Sequence, residues 1–547
     1  MKKLALLFCL AGLAVQAQQN SIAGKAKTSP PAQPKLVVGI VVDQMGYDFL
    51  VRYDAKYGKD GFKRLVREGF SCKNAHYNYI PTYTAPGHTC VYTGSVPAIT
   101  GIAGNDWFDQ HTGKSVYCTD DSTVRTVGSE SLAGQMSPRN LLVTTITDQL
   151  KLSNNLKSKV IGVALKDRGA ILPAGHLGNG AYWFDSFSGN WITSDYYLKE
   201  LPGWVKEFNN RKLPSKYLSQ PWTPLLNAAQ YTESTADDQP FEGSFQGETK
   251  PVFPHDLPKL KKADFELIRT TPFGNSLTKD FALAAIKGEN LGKGAATDFL
   301  AVSFSSTDYV GHQYGPHAIE TQDTYLRLDR DIAELLTFLD GYLGKANVLV
   351  FLSADHGVAP VAGYMQQLRI PSGIFDGRKT IGDLKKKLAA DLGEGDWIRS
   401  YQNQQLYLNH SLLQQKDKDM EDVFKTIAPY LLQQEGVADV VNLHEIGESN
   451  LPDYLVGYLK NGTHRKRSGD IYLALEPNWM EGRKQGTTHA TFYNYDTHVP
   501  IIFYGGLVKP GSSVSRVHVT DIAPTVAQLL NIQEPNGCIG TPVVLPK

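Results

Sequence analysis

Five stretches of the chain read as buried strands before any chemistry is considered. Residues 35–42, KLVVGIVV, are apolar and β-branched with no polar alternation, the pattern of a strand covered on both faces. Val160 to Leu165, Phe299 to Ser305, Val348 to Leu352 and Val499 to Tyr504 repeat it. Helical periods alternate with these runs. The clearest spans residues 321–342, where Tyr325, Leu328, Ile332, Leu335, Leu336 and Leu339 return at helical spacing. Strands alternating with helices predict an α/β fold, a predominantly parallel central sheet with helices on both faces. Two regions break the rhythm. Residues 170–280, rich in Trp, Tyr, Pro and Asn, predict an inserted cap of loops. Residues 363–480 hold a smaller helix–strand alternation (385–392, 404–408, 417–433, 437–441) and predict an inserted α+β subdomain. One body from residue 35 to 547 carries both insertions. No internal repeat, heptad run or low-complexity block interrupts it.

Composition adds limits to this picture. At 547 residues the chain has room for a large core with insertions. Lys+Arg and Asp+Glu both number 55, so no basic excess suggests a nucleic-acid partner and no acidic tail is present. Small molecules are the expected partners, and a monomer is the expected state. The first residues, MKKLALLFCLAGLAVQA, have the layout of a secretory leader: Lys2 and Lys3, an apolar run from Leu4 to Val15, then a small-residue cleavage site. That run falls short of the 18 or so apolar residues a membrane anchor needs. Residues 1–17 are therefore expected to be removed on export to the periplasm or beyond, with no stable membrane insertion. Residues 18–34, rich in Ser, Pro, Ala and Lys, then form a linker. Cys72, Cys90, Cys118 and Cys538 remain, far apart and without CxxC metal spacing, and their pairing is not readable.

Polar residues gather just past the ends of the strands, where ligands bind in open α/β sheets. Asp43 ends the first run in VVDQM. Asp308 and His312 in STDYVGH are four apart, one helical turn and one face. Asp355 and His356 adjoin in LSADHG, and His489 stands in KQGTTH. Singly, each Asp is more often a cap or turn residue and each His structural. Together, six carboxylate and imidazole groups suit two three-ligand zinc sites with positions left open.

With these residues in place the chain resembles the alkaline phosphatase superfamily of two-zinc phosphoryl and sulfuryl transferases. It is most similar to the PafA-type, phosphate-insensitive bacterial alkaline phosphatases. The matching stretches are VVDQM, PTYTAPGHT, TGSVPAITGIAGNDW, LKDRGAILPAGH, STDYVGH, LSADHG and KQGTTH. The resemblance runs from about residue 36 to the C-terminus. It implies one zinc held by Asp308, His312 and His489, and another by Asp43, Asp355, His356 and the oxygen of a nucleophilic Thr84. It implies that Asn105, Lys166 and Arg168 contact the phosphoryl oxygens. The expected activity is hydrolysis of phosphate monoesters through a phosphothreonine.

Physical reasoning from the residues also favours Thr84 among the three threonines of NYIPTYTAPGHT. Pro86 belongs in the first turn of a helix, where its missing N–H costs nothing. Thr84 then stands at the helix start, where free N–H groups and the dipole favour an anion. Thr82 lies a strand step earlier and Thr89 lies within the helix. His88 reads as supporting rather than catalytic. Lys166 and Arg168, two apart after a strand, are expected on one face with Asp167 turned away, and two cations reward a dianionic monoester. Phosphodiesterases of the same superfamily share the threonine and asparagine and form the enzymatic alternative. Sulfatases fit less well, because Thr84 is followed by Ala-Pro-Gly-His. An exported zinc- or phosphate-binding protein without turnover is the non-enzymatic alternative.

Overall fold

A computed structural model of the chain describes residues 33–482 and 484–546. The expected leader, and all but two residues of the expected linker, lie outside the described residues.

The β-branched runs form the middle of one sheet. In chain order its main strands are β1 (Leu36–Val42), β2 (Phe70–His76), β3 (Val160–Ala164), β4 (Gly180–Asp185), β5 (Asn190–Ser194), β6 (Asp298–Phe304), β7 (Val348–Ser353) and β8 (His498–Gly505). Their spatial order is β2-β8-β7-β1-β6-β3-β4-β5, within a sheet of eleven strands among the described residues. Strands β7, β1, β6, β3 and β4 are mutually parallel. β8 runs antiparallel to both β7 and β2, and β5 antiparallel to β4. Every residue of β1, β6 and β7 is buried, which is why those runs lack alternation.

Register decides where the chemistry emerges. Val41 pairs with both Ser303 and Ser353, and Ala164 pairs with Ser303. Four parallel strands therefore end level, and the residues that follow them leave along one edge. The helices that flank this edge are α1 (Thr84–Thr93), α2 (Asp167–Ala174), α3 (Pro272–Gly288), α4 (Ser306–Tyr314) and α5 (Ile319–Tyr342). In α5, all six apolar residues of the helical period are buried. α1 is buried along its whole length, an unusual setting for a segment with three threonines and a histidine.

Within residues 170–280, β4 and β5 extend the main sheet, and α3 packs beside it, so the irregular part narrows to about 195–271. Residues 363–480 contain a four-stranded sheet of Ile398–Gln402, Gln405–Leu408, Ile471–Leu475 and Val437–Asn442. Helices Gly377–Leu392 and Met420–Leu432 close a separate core over it, built on Leu384, Leu388, Ile427, Leu431 and Leu473. Cys72, Cys90, Cys118 and Cys538 are free thiols. Among the described residues no helix is long and apolar enough to cross a membrane.

Candidate active site

Residues scattered over some 450 positions of sequence meet at the level edge of the sheet. Asp43 follows β1, Lys166 follows β3, α4 follows β6, and Asp355 and His356 follow β7. His489 arrives on a loop just before β8. α1 lies across this edge, starting at Thr84 after an extended Tyr83. Pro86 is the third residue of the helix, as its tolerance for the first turn requires. Gly87 lets α1 approach closely: a Cβ there would stand 2.1 Å from the Asp355 carbonyl oxygen.

The three threonines separate by what their hydroxyls do. Thr82 donates to the Thr491 carbonyl at 3.0 Å, and Thr89 donates back along the helix to the Ala85 carbonyl at 2.7 Å. The Thr84 hydroxyl instead faces the Lys166 ammonium at 3.4 Å. That ammonium also donates to Asp43 Oδ2 at 2.7 Å and to Asp308 Oδ2 at 2.6 Å. A single buried cation thus links the hydroxyl to two carboxylates. Asn105 accepts the Ala85 N–H at 2.9 Å, which seats its carboxamide beside the first turn of α1.

Six imidazole and carboxylate groups surround this point. His312 Nε2 lies 3.1 Å and His489 Nε2 3.7 Å from Asp308 Oδ1. His356 Nε2 lies 3.6 Å from both Asp43 Oδ1 and Asp355 Oδ2. Around a tetrahedral ion with bonds of about 2.0–2.2 Å, donors stand about 3.3–3.6 Å apart, a range that these spacings of 3.1–3.7 Å bracket. Each of the three rings also has its Nδ1 on a backbone carbonyl: His312 on Thr487 at 2.8 Å, His489 on Thr82 at 2.6 Å and His356 on Gly357 at 2.9 Å. Those bonds fix the Nδ1–H tautomer and leave every Nε2 lone pair turned inward.

The donor set carries more negative charge than its surroundings balance. Burial and the neighbouring Asp355 push the Asp43 carboxyl well above the usual carboxylate range. Burial works against Asp308 too, yet His312 and Lys166 hold it well below that range. Burial, with His356 and His312 close by, pushes His489 well below an ordinary imidazole. Asp43 Oδ1, Asp355 Oδ2 and His356 Nε2 are buried without a hydrogen-bond partner among the described residues. Orphaned acceptors of this kind, converging on one point, fit a bound cation. By distance alone Asp308 stands close to both groups. One ligand atom each from Asp43, Asp308 and His356 lies within 4.8 Å, as does one each from Asp308, His312 and His489. The two Asp308 oxygens face Lys166 and the His312–His489 pair, and Asp355 Oδ2 lies 3.6 Å from His356 Nε2 and 3.3 Å from His88 Nδ1.

Lys166 and Arg168 are arranged differently from the strand-end expectation. β3 stops at Ala164, Lys166 caps α2, and Arg168 is already in its first turn. Arg168 donates to the Tyr117 hydroxyl at 2.9 Å, Tyr117 donates to Asp167 at 2.9 Å, and Arg168 Nε is buried without a partner. The ring of Tyr309 lies 5.1 Å from the Lys166 ammonium, and its hydroxyl accepts from Arg269 at 2.9 Å. Sequence reasoning passed over Tyr117, Arg269 and Ser303, none of which has a local signature, and Tyr309, inside the quoted STDYVGH. It also passed over Gln44, inside the quoted VVDQM. His88 supports the site, donating from Nδ1 to the Thr84 carbonyl at 2.9 Å with Nε2 toward the Ser303 hydroxyl at 2.8 Å.

A family model described as type I phosphodiesterase / nucleotide pyrophosphatase matches residues 37–499. Alkaline phosphatase PafA of Elizabethkingia meningoseptica is 48% identical over 531 residues, covering 96% of this chain and 96% of its own. The crystal structure of wild-type PafA superposes with a TM-score of 0.92 over 94% of this chain and 99% of that one. A protein of Myroides odoratus named calcium-transporting ATPase is 52% identical over 516 residues, 93% of this chain and 94% of its own.

Proposed function

The chain belongs to the type I phosphodiesterase / nucleotide pyrophosphatase family of the alkaline phosphatase superfamily, and we propose from that premise how this alkaline phosphatase works. Its reaction is hydrolysis of phosphate monoesters to an alcohol and inorganic phosphate, with Thr84 as the nucleophile. The observation that carries this reading is the placement of the Thr84 hydroxyl, 3.4 Å from an ammonium that bridges Asp43 and Asp308.

Two zinc ions suit the donors. Asp308, His312 and His489 would hold one, and Asp43, Asp355 and His356 the other, with Thr84 at its open position. When bound, they supply positive charge that makes the threonine hydroxyl acidic and offsets charge on the leaving oxygen. Every other step falls to the chain's own groups. α1 presents Thr84 with the positive end of its dipole facing the incoming phosphoryl group. The Thr84 hydroxyl gives its proton to solvent and Oγ1 attacks phosphorus as the ester P–O bond breaks, the departing alkoxide taking a proton from water to leave as the alcohol. Water then attacks the phosphothreonine and gives up a proton, the Thr84–P bond breaks, Thr84 Oγ1 takes a proton back, and phosphate leaves. Lys166, the Asn105 amide and Arg168 contact the non-bridging oxygens and draw off their charge.

Two cations beside those oxygens favour the dianionic group of a monoester, and the same demand is met by the terminal phosphoryl group of ATP. A diester carries an esterified oxygen in that place. Export through the leader at residues 1–17 would put the enzyme outside the cytoplasm. The test compares turnover of p-nitrophenyl phosphate with that of its bis ester. The monoester should be the faster substrate, with net retention at phosphorus in a chiral assay. Faster turnover of the bis ester would move the assignment to a diesterase, and inversion would remove the covalent intermediate.

A further inference from the structure

Gln44 is buried, yet its backbone lies in the left-handed region, with φ of 66°. A side chain resists that region because Cβ crowds the neighbouring carbonyl, whereas glycine enters it freely. A non-glycine residue persists there when something it does offsets the strain. Three contacts are available. The Gln44 backbone N–H donates to Asp355 Oδ1 at 3.1 Å, and its carbonyl accepts from the Tyr325 hydroxyl at 3.4 Å. Its side-chain Nε2 donates to Asp308 Oδ1 at 2.7 Å. A carboxylate accepts and never donates, so the NH2 end of the amide must be the one facing Asp308. Glycine would keep the first two contacts. The third alone explains glutamine.

Helix α4 makes room for that amide. Gly311 stands between Asp308 and His312, and a Cβ there would lie 1.9 Å from Gln44 Oε1. The amide therefore rests against bare helix backbone, with Nε2 on the carboxylate one turn away. Asp308 Oδ2 is held by Lys166, and Gln44 holds Oδ1, the oxygen that His312 and His489 also face. With both oxygens tied, the carboxylate plane is fixed, and the free lone pair of Oδ1 is left for the two imidazoles' ion.

We propose that Gln44 is a positioning residue that sets the orientation of Asp308 as a metal ligand, while its backbone N–H does the same for Asp355. The inference rests on the two-zinc reading above. Because the backbone N–H survives every substitution except proline, changing the side chain should disturb one metal site and spare the other.

Metal-stripped wild type, Gln44→Gly and Gln44→Asn would be titrated with zinc against a chromophoric chelator, and the metal-free proteins melted in parallel. Asparagine tolerates left-handed backbone but is one methylene too short to reach Asp308. Wild type should take up zinc in two steps. Both variants should keep one step at wild-type affinity and bind the other roughly ten- to a hundredfold more weakly, the usual effect of losing a ligand's outer partner. Metal-free Gln44→Gly should melt at or above wild type, since the strain is gone. Unchanged uptake in the variants, equal weakening of both steps, or a metal-free Gln44→Gly that melts below wild type would each overturn the proposal. A wild-type protein that takes up no zinc at all would remove the two-zinc reading, and this inference with it.

Discussion

Thr84 shows how much one residue's neighbours decide. Its sequence neighbourhood holds two other threonines, and all three hydroxyls are buried. Two of them spend their proton on a backbone carbonyl, which leaves Thr84 as the one turned to a cation and two acid clusters. Replacing it with alanine should cut turnover by on the order of a thousandfold or more, as loss of a covalent nucleophile does. Thr84→Ser should retain a measurable share, and zinc content and melting temperature should stay near wild type in both. Persistence of full activity in Thr84→Ala would exclude the phosphothreonine. The charges beside it make a separate prediction. Lys166→Ala combined with Arg168→Ala should lower monoester turnover by on the order of a hundredfold to a thousandfold, the cost of removing preorganised charge. The bis ester, with one charge fewer to stabilise, should lose much less. Equal losses on both substrates would mean that the pair supports the carboxylates rather than the substrate.

At the level of elements, what could be read from the sequence was whatever has a local signature. The five runs beginning near residues 35, 160, 299, 348 and 499 are strands of the main sheet, and the Asp308–His312 spacing lies on one face of a helix. The direction of β8 was not readable, because a strand buried on both faces looks the same whether its neighbours run with it or against it. β4 and β5 sit inside the stretch expected to be a cap, since short strands rich in aromatic residues imitate loops in composition. Lys166 and Arg168 were expected at a strand end, but the strand stops at Ala164 and the first turn of α2 takes over from Asp167. His489 sits on a loop with no periodic pattern, so its place beside Asp308 came from motif resemblance alone. Contact between elements sets one more expectation. α1 crosses the Asp355 loop at Gly87, where a Cβ would meet the Asp355 carbonyl oxygen at 2.1 Å. Backbone cannot yield as a flexible side chain can, so Gly87→Ala should push the nucleophile helix off the acid cluster. The expected cost is about 1–3 kcal/mol in urea unfolding, the usual penalty of overpacking, together with a fall in turnover. An active, fully stable Gly87→Ala would mean that the helix has slack to move.

For the whole molecule, pH should act on stability far from the catalytic edge. The irregular stretch between β5 and α3 docks on α5 through a buried acid cluster. Burial and the facing Glu320 push the Glu242 carboxyl up to about 9, and burial pushes Glu320 up to about 7 against its bond to His255. Burial opposes charge on His255, but hydrogen bonds to Glu248 and Glu320 win and raise it to about 9. All three groups bind their protons more tightly folded than unfolded. Their contribution is therefore complete below the unfolded values, about 4.3 for the glutamates and 6.5 for the histidine. It is lost as pH climbs through the folded values, because the unfolded chain then releases protons that the native state retains. Unfolding free energy should thus fall between about pH 5 and 10, each retained proton steepening the fall from the point where the unfolded chain lets it go. Glu242→Gln keeps the shape and removes the largest titration. Urea unfolding of the two proteins at several pH values should show a flatter profile for the variant and a gain over wild type on the alkaline side. Parallel profiles would place the alkaline loss in groups other than Glu242.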